Sequence, residues 1–194
     1  MLSTNLSSLV EKIRFLLTTY PDRPVLVALD GRCGSGKTTL AAQLAERFPD
    51  SITLHTDDFY LPPALRVPCW DTIPCANMDL ARLRDEVLIP ARAGQAVPYR
   101  AYSCREGAYL SQKLLPSRPL ILIEGSYSQH PTLTEFYDLQ IFVTCSKAEQ
   151  TRRLLAREGE RYPNFAARWI PLEEGYFAQY RIEAQADLIF DTTG

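Results

Sequence analysis

The chain has 194 residues, 46% of them apolar and 23% charged, with a formal net charge of −2. That length suits one domain able to bury a core, and the near-neutral balance argues against a nucleic-acid carrier held by bulk charge. Five cysteines with no C-x-x-C pair, beside only two histidines, argue against a disulfide framework or a zinc site, so free thiols in a reducing cytoplasm are expected.

The N-terminal stretch carries Glu11, Lys12 and Arg14 among its apolar residues. No signal peptide is therefore expected, and no apolar run reaches the roughly 18 residues a membrane span requires. Leu6, Leu9, Val10, Ile13, Leu16 and Leu17 recur at helical spacing and predict an amphipathic helix over residues 4–18. The run Val25-Leu26-Val27-Ala28-Leu29-Asp30 then reads as a buried strand ending in an acid.

Next comes Gly31-Arg32-Cys33-Gly34-Ser35-Gly36-Lys37-Thr38-Thr39, which fits the phosphate-binding pattern G-x-x-x-x-G-K-[ST] at every fixed position. Glycines let the backbone bend toward an anion with no Cβ in the way. Successive N–H groups then point inward, and the helix predicted over about 38–48 adds the positive end of its dipole. The nucleotide-binding set is thus Gly31, Gly34, Ser35, Gly36, Lys37, Thr38 and Thr39. Lys37 would also neutralise the charge on the β- and γ-phosphates during reaction, and the Thr38 hydroxyl would hold a magnesium ion.

A second strand, 51–55, runs into Thr56-Asp57-Asp58-Phe59-Tyr60. Four prolines between 61 and 76 predict an ordered loop. A helix over about 79–91 follows, capped by Asn77 or Asp79. Residues 97–102 and 108–115 predict a hairpin around Gly107. Leu120-Ile121-Leu122-Ile123-Glu124 is a further buried strand, as is 139–143. Helices are expected over about 147–158 and 165–184, with Gly159 to Asn164 between them, and 188–190 closes the chain as a short strand.

Alternating strands and helices with continuous apolar strands imply a parallel sheet covered on both faces. Ligands bind beyond the carboxyl ends of such strands, where the topology gathers the glycine-rich loop, Asp57 and Glu124. Glu124 is the candidate second magnesium ligand. Asp57 and Asp58 are both candidates for the base that takes a proton from an attacking hydroxyl, and spacing alone does not choose between them. Arginines cluster late, at 152, 153, 157, 161 and 168. Arg153 and Arg157 lie one turn apart on a helix face, and mobile arginines of this cluster could cover a phosphate site as a lid.

The order of the loop, Asp57-Asp58-Phe59-Tyr60, Trp70-Asp71, Asn77-Met78-Asp79, Tyr102, Ile123-Glu124-Gly125 and Arg153…Arg157 resembles the uridine kinase / phosphoribulokinase group of P-loop kinases, over about residues 24–191. The resemblance implies a three-layer α/β/α fold in a single domain (1–194), with a mostly parallel five-stranded sheet. It also implies a hairpin-bearing acceptor insertion over about 59–115 and a helical lid over about 153–168. It implies ATP or GTP with Mg²⁺ as donor, and a small-molecule hydroxyl as acceptor. It marks Asp57 as the base, Asp71 as a ligand of the acceptor's sugar hydroxyls, Tyr102 as a wall of the acceptor pocket, and Arg153, Arg157 and Arg161 as the lid set. Uridine kinases carry His-Pro after the aspartate and a histidine after the tyrosine. Here Thr72-Ile73-Pro74 and Ser103-Cys104-Arg105-Glu106 stand instead, and Arg105 suits an acceptor bearing a phosphate or carboxylate. The expected function is phosphoryl transfer to a nucleoside. The alternatives are another metabolite (a sugar, sugar phosphate, vitamin precursor or nucleoside monophosphate) or a regulatory ATPase. The expected partner is a small acceptor, with no nucleic acid or membrane, and self-association into a homo-oligomer is left open.

Overall fold

The computed structural model describes residues 4–193. Helix α1 (Leu6–Thr19) opens on an Asn5 cap whose Oδ1 accepts the Ser8 N–H at 2.9 Å. Strand β1 (Val25–Gly31), helix α2 (Lys37–Arg47) and strand β2 (Ser51–His55) follow. After β2 the chain tightens into a single 3₁₀ turn, Thr56–Phe59, rather than extending the strand. The proline-rich loop is ordered by short turns at Pro63–Leu65 and Trp70–Thr72.

The helix expected over 79–91 spans residues 80–92, in three registers. An α turn, α3 (Leu80–Arg82), passes through a π-helical stretch (Leu83–Leu88) into α4 (Ile89–Arg92). The Ile89 N–H reaches back to Arg84 O, one residue further than an α-helix would. This wider turn sits immediately before Pro90, which has no N–H to give the ladder.

The hairpin forms in two pieces. β3 (Val97–Tyr99) pairs antiparallel with β6 (Lys113–Leu115), and β4 (Tyr102–Ser103) pairs with β5 (Ala108–Tyr109). Residues 100–101 on one arm oppose 110–112 on the other, so the extra residue is absorbed as a bulge.

β7 (Leu120–Glu124), β8 (Leu139–Thr144) and β9 (Leu188–Asp191) complete a five-stranded sheet of order β2-β7-β1-β8-β9, parallel throughout. Alternation along β1 and β7 divides the core. Val25, Val27, Leu29, Leu120 and Leu122 pack against α1 and α2, while Leu26, Ile121 and Ile123 face the 80–92 helix and the C-terminal helices. The C-terminal helices are α5 (Lys147–Glu158), α6 (Tyr162–Tyr180) and α7 (Ile182–Gln185). The expected break at 159–164 is shorter, because Pro163 fits the first turn of α6. The stretch expected to stay helical to 184 breaks instead at Arg181, which takes a left-handed conformation at φ 52°.

Candidate functional site

Parallel strands aim their carboxyl ends at one rim, and the site is built there. Gly31 ends β1 at φ 138°, where a Cβ would strike the carbonyl oxygen of Val143 on the neighbouring strand. Only glycine lets the chain leave the sheet here and turn into the loop. Asp30, just before it, is fully buried. Its carboxylate accepts from Gly31 N (2.7 Å), Tyr127 N (3.2 Å), Gln129 N (2.9 Å) and the Tyr176 hydroxyl (2.8 Å). Burial raises its pKa to about 6, against these hydrogen bonds and the field of Lys37. Asp30 thereby ties the start of the loop to the segment after β7 and to α6.

The loop delivers its lysine and threonine into a cleft of about 800 Å³. Lys37 Nζ donates to Gly31 O at 2.7 Å and Arg32 O at 3.1 Å. Thr38 Oγ1 donates to Glu124 Oε1 at 2.9 Å, and His55 Nδ1 lies 2.7 Å from Glu124 Oε2. Burial works against the charge on Glu124, but the hydrogen bonds from His55 and Thr38 and the field of Lys37 outweigh it and hold its carboxyl below the usual value. The same hydrogen bond to Glu124 holds the His55 imidazole above its usual value. Gly125 follows at φ 137°, where a Cβ would collide with Thr56 Oγ1. That hydroxyl donates to Ser126 O at 2.9 Å, so the two strand tips lock together.

The adjacent aspartates diverge. Asp57 lines the cleft and accepts from the Tyr60 hydroxyl at 3.2 Å. It is open to the water of the cleft, yet the crowding walls desolvate it. This desolvation, reinforced by Glu124 and opposed by Lys37, holds its carboxyl above the ordinary value of 3.8. Asp58 turns away and is held by the Tyr99 hydroxyl.

Gly34, Gly36, Thr39, Tyr102, Arg153 and Arg157 also line the cleft. Ser35 is fully buried within the loop. Asp71, Arg105 and Arg161 do not join the site. Asp71 pairs with Arg168 at 3.7 Å outside the cleft, Arg161 is 80% exposed and reaches Glu158 at 3.6 Å, and Arg105 is exposed on the hairpin turn. The two cleft arginines are already partnered. Arg153 bonds Glu149 at 2.7 Å and Thr192 at 2.8 Å, while Arg157 bonds Glu158 at 2.8 Å and lies over the Phe165 ring at 5.2 Å.

Several cleft residues escape sequence reasoning: Arg66, Phe165, Trp169 and Glu173. Phe165, Trp169 and Glu173 recur at four-residue spacing on α6, a signal visible in the sequence but obscured there by Pro171 and Gly175. Arg66 donates from Nε to Leu61 O at 2.8 Å and lies over the Trp70 ring at 4.7 Å. Among the described residues no carboxylate pairs with it.

The donor set suits a small hard cation. Thr38, Glu124 and Asp57 offer oxygen only, and magnesium is commonly held by one or two carboxylates plus substrate phosphates.

The loop on β1, the parallel sheet and the helical cover define a P-loop α/β protein with the fold of the small-molecule kinases. No family model and no curated protein matches the chain. Solved structures do. A provisionally assigned fructose transport system kinase from Silicibacter sp. TM1040 superposes with a TM-score of 0.79 at 21% identity, over 97% of this chain and 100% of the other. A provisionally assigned uridine kinase from Bacillus stearothermophilus gives 0.69 at 22% identity, over 95% and 100%. Phosphoribulokinase from Rhodobacter spheroides gives 0.59 at 14% identity, over 87% and 70%. At these identities the likeness establishes the fold, including the five-stranded sheet the sequence predicts.

Proposed function

We propose that this protein is a kinase that transfers the γ-phosphate of ATP or GTP to a hydroxyl of a small molecule. The observation that carries this reading is the meeting of Lys37, Thr38, Glu124 and Asp57 on one cleft that continues into an aromatic chamber. A phosphate loop that only bound or hydrolysed nucleotide would have no use for that chamber.

Phosphoryl transfer depends on positioning and charge neutralisation more than on covalent help. The loop N–H groups and Lys37 grip the phosphate tail. Thr38 and Glu124 would hold Mg²⁺, whose role is to neutralise charge on the phosphates. Asp57 receives the proton of the acceptor hydroxyl as its oxygen forms the new bond to the γ-phosphorus and the bond to the β-phosphate oxygen breaks. Arg157, which lines the cleft, would meet charge on the transferred group by exchanging its bond to Glu158 for one to the phosphate.

The acceptor end is walled by Tyr60, Tyr102, Phe165 and Trp169, with Tyr60 and Trp169 ring centroids 6.5 Å apart. Such a chamber favours a ring-bearing acceptor, a nucleoside or a related compound. Arg66 within it favours one that carries a phosphate or carboxylate, the role sequence reasoning gave to Arg105.

A coupled phosphate-transfer screen over nucleosides, nucleotides, sugars and sugar phosphates tests the reading. The expected result is nucleotide turnover that depends on one acceptor class and disappears in Lys37→Ala. Turnover at the same rate with no acceptor would replace the kinase reading with that of a regulatory ATPase.

A further inference from the structure

One helix face joins the two ends of the cleft. Phe165, Trp169 and Glu173 stand at i, i+4 and i+8 on α6, and all three line the cleft. Glu173, which is 6% exposed, reaches the phosphate loop: its Oε2 accepts the Cys33 N–H at 2.9 Å. Its Oε1 accepts the Ser126 hydroxyl at 2.6 Å, two residues beyond Glu124. Trp169 and Phe165 lie about 6 and 12 Å further along the helix axis, in the aromatic chamber.

The peptide that Glu173 holds is the one between Arg32 and Cys33. The carbonyl of that same peptide, Arg32 O, accepts Lys37 Nζ at 3.1 Å. Ammonium, peptide dipole and carboxylate therefore stand in series, each polarising the next. Glu174 adds a second tie, binding the Arg32 guanidinium at 2.7 Å, so adjacent glutamates of α6 hold adjacent loop residues. Just before them, Pro171 gives the helix ladder no N–H, which loosens the stretch carrying Phe165 and Trp169 from the anchored stretch.

We propose that Glu173 is a positioning residue that relays occupancy of the phosphate loop to the aromatic wall of the acceptor site. The inference rests on the phosphate-loop reading above. A phosphate that takes Lys37 Nζ removes one of the two donors to Arg32 O and leaves the Ser35 N–H at 3.0 Å. The peptide, relieved of the ammonium's pull, then turns between its Ser35 and Glu173 bonds, and its reorientation displaces α6 at Glu173 and, one turn away, Trp169.

The sequence contains two tryptophans, Trp70 and Trp169. Trp70→Phe leaves Trp169 as the sole reporter, and Mg·ADP is titrated by calorimetry and by fluorescence on the same protein. The expected result is a change in Trp169 emission that saturates at the calorimetric Kd. In the same background Glu173→Ala should lose the emission change while its Kd for Mg·ADP stays within about tenfold. Glu173→Gln, which keeps an acceptor for the Cys33 N–H, should restore it, and Glu173→Asp, which keeps the charge but falls short, should not. The last two variants decide the matter if Glu173→Ala does not fold. Nucleotide uptake with a silent Trp169, or an undiminished response in Glu173→Ala or Glu173→Asp, overturns the relay. No uptake of Mg·ADP at millimolar concentration overturns the phosphate-loop reading itself, and the relay with it.

Discussion

Thr38 donates its hydroxyl to Glu124 Oε1 across 2.9 Å, joining the first turn of α2 to the tip of β7. One group stands on the helix that follows β1 and the other ends the neighbouring strand β7, and their meeting sets the geometry of the proposed magnesium site. Glu124→Gln keeps the size and a hydrogen-bond acceptor but removes the charge. Turnover should fall at least about a hundredfold, and the magnesium concentration giving half-maximal rate should rise. Steady-state rates across a magnesium titration check this, and an unchanged magnesium dependence would remove Glu124 from the site.

Asp57 and Asp58 are neighbours in sequence with opposite surroundings, one facing the cleft and one held by Tyr99. Asp57→Asn should lower kcat by about a hundredfold or more while calorimetric nucleotide binding is retained, as expected for loss of a general base. Asp58→Asn should cost stability through its bond to Tyr99 and leave kcat within a few-fold. The reverse pattern would make Asp58 the base.

The pH profile gives an independent check on Asp57. Its carboxyl titrates above 3.8 because the cleft desolvates it, and only the ionised form accepts a proton. Rate is therefore present above that raised value and lost as pH falls through it. The acidic limb of kcat/KM should lie above the ordinary aspartate value of 3.8, and Asp57→Asn should abolish that limb.

Asp30 makes a stability prediction. All four of its partners are donors. Asp30→Asn turns an amide donor toward them and should destabilise the fold by roughly 2–3 kcal/mol. The folded pKa, about 6, lies above the reference 3.8. The native state thus binds this proton more tightly than the unfolded chain does. The associated stability is full below 3.8 and is lost as pH rises through about 6. Denaturant titrations at pH 4.5 and 7.5 should show a pH-dependent difference between wild type and variant, and no difference would free Asp30 from this role.

The strands and the phosphate loop were legible because their signals are local: unbroken apolar runs, and a glycine pattern whose turn needs those residues wherever it occurs. The π-helical stretch before Pro90 and the bulge in the hairpin were not, since each is one residue's shift in register, which periodicity does not resolve. At the site, Glu124 ends β7, Asp57 lies two residues past β2, and Lys37 and Thr38 open the helix that the loop after β1 leads into, so parallel topology gathers them at one rim. Glu173 and Trp169 come from a helix more than a hundred residues away from Lys37 in sequence. Their place in the cleft depends on how α6 crosses the sheet. Asp71 and Arg161 lie outside the cleft for the matching reason: a family pattern gives a residue type, whereas the pairing of these side chains with Arg168 and Glu158 belongs to this chain's own packing.

The exchange of Arg105 for Arg66 carries the last prediction. Arg105 is exposed on the hairpin turn, whereas Arg66 lines the cleft with its Nε clamped by Leu61 O and its plane on Trp70. Those contacts fix the side chain before any acceptor arrives, so little rotamer entropy remains to be lost on binding. Its two terminal nitrogens suit a bidentate oxyanion. For the best acceptor found by screening, Arg66→Gln should raise KM at least about tenfold with nucleotide affinity unchanged, while Arg105→Ala should leave KM within about twofold. Acceptor pairs differing only by a phosphate or carboxylate make the reading specific: the wild type should prefer the charged member and Arg66→Gln should lose that preference. Equal use of both members by the wild type would show that Arg66 serves the packing of Trp70 and not the acceptor.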